Sequence, residues 1–146
     1  MEQSRIYPRN EKDPATNGNY ILYRIQIHRR FNWNHALQYA IDRANKHNKP
    51  LLIYEGLRCD YPWASDRFHQ FIMESMAELQ QQAREKNVLY LPIVERKPGE
   101  EQDCYRRLAN QAVEVISDEY PVFIMREQNQ EGANQCPSTY TTVDGN

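Results

Sequence analysis

Glycine is scarce in this chain, five in 146 residues, and none lies between Gly18 and Gly56. A turn that brings its backbone against a pyrophosphate needs glycine, because a Cβ blocks the approach. Long apolar runs are missing as well. Nothing approaches the roughly 20 residues that cross a bilayer as a helix, which excludes a helical membrane protein. Residues 1–10 are polar and lack the apolar stretch of a secretory signal. Charge of one sign is not in excess: 18 Lys+Arg stand against 20 Asp+Glu, a net charge of −2. That balance argues against nucleic-acid binding through bulk electrostatics and leaves only a local patch for such contact. Cysteine is sparse, and Cys59, Cys104 and Cys136 form no C-x-x-C. An odd, widely spaced set fits reduced thiols in a cytoplasmic protein rather than a disulfide framework or a zinc site. His28, His35, His47 and His69 have no carboxylate or thiol at ligand spacing, so they read as surface or capping residues. G-x-x-x-x-G-K, G-x-S-x-G, a Ser-Gly-Gly pyrophosphate loop and a His-x-Gly-His turn are absent too. No self-contained active site is legible.

What is present alternates. The length suits one domain. Residues 1–19 read as a flexible N-terminal tail, with Pro8, Pro14 and Gly18 among polar residues and no periodic apolar pattern. Residues 20–146 read as the folded domain. Tyr20 to Ile27 is β-branched and aromatic, hence a strand. Trp33, Ala36, Leu37, Ala40, Ile41 and Ala44 follow at helical spacing, with Asn32 as the expected N-cap and Asn48 and Pro50 as the stop. Leu51 to Leu57 is a second strand, apolar enough to be covered on both faces. Ser65 caps a helix to about Lys86 whose buried face is Phe68, Phe71, Ile72, Met76, Leu79 and Ala83. Val88 to Val94 is a third strand, with Pro92 marking incomplete pairing. A helix over 101–111, a short strand over 113–116, a turn at 117–121, a short helix over 122–129 and a strand over 140–143 complete the pattern.

This rhythm predicts an α/β domain: a doubly wound, five-stranded, mainly parallel sheet ordered 3-2-1-4-5, with helices on both faces. Ligands of such sheets bind beyond the carboxyl ends of the strands, where the strand order reverses. The loops expected there carry two candidate groups. Arg30 and Asn34 flank the start of the first helix, where an arginine pairs with a carboxylate or phosphate; the plainer alternative pins Arg30 to Asp66 or Asp118. Trp63 and Arg67 lie in the second loop, where a tryptophan stacks on a flat ligand or packs against another domain. Tyr23, Tyr39, Tyr54 and Tyr90 read as core residues with polar rims.

Several of these segments resemble the N-terminal domain of DNA photolyases, nearest the class II group. Arg30, Asn34, Ala36 and Leu37 keep that family's spacing and are followed by Tyr39-Ala40. Asn48-Lys49-Pro50-Leu51 leads into the second strand in the family's manner. Ala64, Arg67 and Phe71 follow its Ala-x-x-Arg-x-x-x-Phe pattern, continued by Met76, Glu78 and Leu79. Ser117-Asp118-Glu119-Tyr120-Pro121 is similar to its Thr-Asp-Phe-Ser-Pro turn. Val143-Asp144-Gly145-Asn146 is similar to the family's crossing into the linker. Departures are Trp33, where the family often has Asp, and the first strand's end, Arg24 to His28, which lacks the usual Trp-rich run.

The resemblance implies an α/β domain that can carry an antenna, a deazaflavin or a folate, with Arg30, Asn34, Trp63 and Arg67 as antenna-binding or domain-interface residues. It also implies a parent protein whose C-terminal helical domain, expected to be absent from this chain, binds FAD and UV-damaged DNA. That parent would be a lyase repairing pyrimidine dimers by light-driven electron transfer. No residue of this portion is expected to be catalytic. Two other functions fit the residues: a stand-alone module binding a flat chromophore or nucleotide, and a structural partner domain.

Overall fold

A computed structural model describes residues 2–60 and 64–145. Its elements are β1 (Ile6–Pro8), β2 (Tyr20–Ile25), α1 (His35–His47), β3 (Leu51–Leu57), α2 (Asp66–Glu85), β4 (Leu89–Val94), α3 (Glu100–Asn110), β5 (Ala112–Glu119), α4 (Phe123–Gln135) and β6 (Thr139–Asp144). The sheet runs β1-β6-β5-β2-β3-β4. Every neighbouring pair is parallel except β1 and β6. The expected five-strand order is therefore present, as β4-β3-β2-β5-β6, with a sixth strand added at one edge. The order reverses between β2 and β5.

Alternation along β2 sets the two cores. Ile21, Tyr23 and Ile25 meet α1 and α2, with Leu37, Ala40 and Leu79. Leu22 turns to the other face, where Tyr105, Ala109, Ala133 and Tyr140 pack. A sheet covered on both faces explains why its central strands are nearly continuous in apolar character. The polar β5 residues are buried as well, each with partners. The Arg43 guanidinium donates to both oxygens of Glu114, at 2.7 Å from Nε. Ser117 Oγ donates to the Arg24 carbonyl at 2.9 Å.

Several expectations need correction. Residues 1–19 are not devoid of structure, since Ile6–Pro8 pairs with β6. Polar side chains hold this segment where apolar burial would normally be needed. Arg9 bonds Glu119 and Thr142, and Asn10 exchanges bonds with Ser138 and Tyr140. Gly18 then passes so close to β5 that a Cβ would sit 2.4 Å from the Val113 nitrogen. The cap of α1 is Asn34, not Asn32: its Oδ1 accepts from the Leu37 N–H at 2.9 Å. Trp33 takes a left-handed φ of +53°, so the chain is still turning at Asn32.

Phe68 and Phe71 are 48% and 66% exposed rather than buried. At about 1.5 Å per residue, the 20-residue α2 is longer than a seven-residue strand at about 3.3 Å per residue, so its first turns overhang the sheet. Strand β5 continues to Glu119, and α4 to Gln135, both beyond their expected ends. The apolar pattern stops at Ile116, but satisfied polar residues carry the strand onward. Ser65 does cap α2, accepting from the Phe68 N–H at 3.3 Å.

Candidate functional site

The turn after β2 is organised by one carboxylate. Arg24 pairs with Ser117 in the parallel register of β2 and β5, so Asp118 stands at the mouth of the turn. Its Oδ2 accepts from three successive backbone N–H groups, those of Gln26, Ile27 and His28, at 2.9, 2.8 and 3.0 Å. The Tyr23 hydroxyl donates to Oδ1 at 2.6 Å. Burial, and next the Asp118 charge, push the Tyr23 hydroxyl well above its ordinary range, so it keeps its proton as a donor. Asn34 closes the set, donating from Nδ2 to Tyr23 Oη at 2.9 Å and to the carbonyls of His28 and Arg30 at 3.2 and 2.9 Å.

Beside this turn, a cavity of about 270 Å³ opens at the ends of β2 and β3. Its walls come from five elements or their flanks, including Phe68 and Ile72 of α2, Glu101 of α3 and Met125 of α4. Its polar lining is unusual. Gln26 is 7% exposed, and among the described residues neither atom of its carboxamide has a hydrogen-bond partner. Arg24, Arg29 and Arg58 also line the space. Two of them are tied to buried acids. Arg29 Nε donates to Glu55 at 2.5 Å, and Tyr90 Oη donates to the other Glu55 oxygen at 2.7 Å. Arg24 lies 3.4 Å from Glu101 Oε1 and 4.4 Å over the Tyr105 ring. Tyr54 Oη donates to the same Glu101 oxygen at 2.9 Å, while Oε2 has no partner among the described residues.

An unpaired donor and acceptor on one buried amide form an edge complementary to an N–H/C=O pair. The volume lies just under the ~300 Å³ at the small end of ligand pockets. Gly56 keeps this wall open, because a Cβ there would meet the Glu101 side chain at 2.4 Å.

The residues singled out in the sequence do not gather here. Asn34 is buried, and its amide is used by the turn and the cap. Arg30 is exposed and borders a different cleft, against Glu78 and Gln82 of α2. Among the described residues no ion pair joins it to Asp66 or Asp118. Arg67 is exposed in the first turn of α2, and Trp63 lies outside the described residues. The sequence reading missed Arg24, Gln26, Glu55 and Glu101. A signal existed for two of them: Arg24 and Gln26 break the apolar run of the first strand at a period of two, on one face. Among the described residues no group of three or more His, Cys, Asp or Glu is placed to hold a metal, and no helix is long and apolar enough to cross a membrane.

Fold and site together define an α/β domain with a ligand-sized cleft at its switch point and no glycine-built phosphate loop. Its backbone is similar to that of a universal stress protein from Archaeoglobus fulgidus, at a TM-score of 0.54 and 12% identity over 86% of this chain and 44% of that one. That likeness is one of fold. A universal stress family protein from Burkholderia pseudomallei aligns at a TM-score of 0.45 and 14% identity, over 89% of this chain and 96% of that one. No protein-family model matches the chain. In sequence, the whole chain is 32% identical over 146 residues to a deoxyribodipyrimidine photo-lyase of Methanothermobacter thermautotrophicus. The chain spans 32% of that relative's length. It is thus related to a photolyase and folds as a Rossmann-like α/β unit.

Proposed function

We propose that this chain is the α/β part of a photolyase-type protein of the class II kind, and that its cavity beside Gln26 is an antenna site. The likeness to a photo-lyase across the full 146 residues carries the reading. In the parent, FAD bound by a helical domain supplies the light-driven electron for pyrimidine-dimer repair. That domain, and UV-damaged DNA through it, are this portion's partners, and the setting is cytoplasmic.

This chain's own contribution is binding and orientation. Gln26 would hold the N–H/C=O edge of a deazaflavin or folate ring, and Phe68, Ile72 and Met125 would enclose its faces. Arg29 and Arg58 would meet anionic substituents at the mouth. Arg30, Trp63 and Arg67 are the candidates for the outer rim, where a ligand substituent or the second domain is met. A stand-alone nucleotide module is the weaker reading, because Asp118 already fills the turn a phosphate would use.

Titrating the purified chain with deazaflavin, folate and FAD, followed by absorbance and fluorescence, tests the site. Deazaflavin or folate is expected to bind. Gln26→Leu should weaken binding about tenfold, the equivalent of roughly one lost pair of hydrogen bonds. No spectral change with any of the three rejects the antenna site. The parent reading is tested separately, by light-dependent repair of UV-irradiated oligothymidylate with the full gene product. Repair is expected, and its absence with FAD bound overturns the reading.

A further inference from the structure

An α/β fold holds phosphate with two devices, the backbone N–H groups of the first turn and the free N–H groups at the start of the following helix. In this protein the first is occupied by one of the chain's own side chains, and the second is capped at one N–H by another. Asp118 Oδ2 takes the N–H groups of Gln26, Ile27 and His28. Asn34 Oδ1 takes the Leu37 N–H of α1. The carboxylate is 1% exposed and is fixed from its other side by Tyr23. The Asp118 carbonyl in turn accepts from Asn129 Nδ2 at 3.1 Å, which ties the end of β5 to α4. Three convergent amides on one oxygen make the arrangement that otherwise grips a ligand anion.

We infer that Asp118 is a specificity-determining residue of the switch point: its carboxylate is a built-in anion that shuts phosphate out of the turn after β2. The adjoining cavity is thereby restricted to ligands whose end facing that turn carries no phosphate. A second anion at the turn would find the Gln26, Ile27 and His28 amides already engaged and would face a buried like charge. This inference concerns the turn and stands apart from the identity of any chromophore.

The test uses the purified chain and inorganic phosphate. Thermal unfolding is recorded in phosphate and in chloride at matched ionic strength, and the amide resonances of Gln26, Ile27 and His28 are followed by NMR. The wild-type chain is expected to show no phosphate-specific stabilisation and no movement of those three resonances. Asp118→Ala should bind phosphate at least about tenfold more tightly than the wild-type chain, raise its unfolding temperature in phosphate, and move those resonances. Glu127→Gln, which removes one exposed negative charge on α4, should behave as wild type. A folded Asp118→Ala chain without the gain overturns the inference. So does an equal gain in Glu127→Gln, or phosphate binding at these amides in the wild-type chain. Where Asp118→Ala folds poorly in chloride, recovery in phosphate supports the inference and failure to recover overturns it.

Discussion

Glu55 is wholly buried between Arg29 and Tyr90, and burial pushes its carboxyl above the ordinary 4.5 while Arg29 pulls it down. A carboxyl whose pKa is higher in the folded state binds its proton more tightly there. Its contribution to stability is complete below pH 4.5 and is lost as the pH rises through the elevated value. Glu55→Gln is therefore expected to flatten the decline in stability on the alkaline side of 4.5. Urea unfolding at a series of pH values checks this, and an unchanged profile would remove Glu55 as its source. Tyr23 makes a second residue-scale case. Tyr23→Phe keeps the ring but strips a donor from Asp118 and an acceptor from Asn34, for an expected loss of about 1–3 kcal/mol in chemical denaturation.

At the scale of elements, α1 shows how a cap is chosen. Asn32 and Asn34 are the same residue type two positions apart, and the left-handed Trp33 between them decides which one faces the helix. Asn34→Ala should cost about 1–2 kcal/mol for the cap alone, and more through the lost bond to Tyr23. Asn32→Ala, exposed and outside the helix, should stay within about 0.5 kcal/mol. Denaturation midpoints of the two variants separate these outcomes, and equal losses would contradict the cap. The overhang of α2 follows the same logic. The spacing of Phe68 and Phe71 matches the buried stripe, but the sheet ends beneath them, so Phe68 lines the cleft and Phe71 stays exposed.

At the scale of the whole molecule, Gly56 shows how the layers constrain the cavity. It lies on β3 directly under Glu101 of α3, with Tyr54 Oη 2.7 Å from where a Cβ would stand. Gly56→Ala should push Glu101 from Tyr54 and cost about 1–3 kcal/mol. It should also weaken whatever the cavity binds, since Glu101 lines it. A variant as stable as wild type, with unchanged ligand affinity, would show that Glu101 yields without consequence. The unusual feature of this architecture is that its polar interior is nearly self-satisfied. Among the described residues, Gln26 and one oxygen of Glu101 are the exceptions at the cleft, and that contrast marks the candidate site.

Period and punctuation carried the α/β alternation, the β2-centred order and the caps at Ser65 and Asn48, because each depends on residues adjacent in the chain. The missing glycine also announced a turn unsuited to pyrophosphate. The reason it can close without glycine was not legible. Asp118 is 90 residues or more from the amides it binds, and nothing in local pattern marks a carboxylate as an internal anion. The same holds for β1, which polar side chains pin to an edge more than 130 residues distant, and for Gln26, whose break in the apolar run shows in sequence but whose missing partner appears only once α2 and α4 have walled it in. Local sequence determined all the elements but β1 and the order of the five parallel strands. Tertiary structure alone decided which polar groups found partners, since hydrogen bonding in the interior is settled by where distant strands bring their ends together.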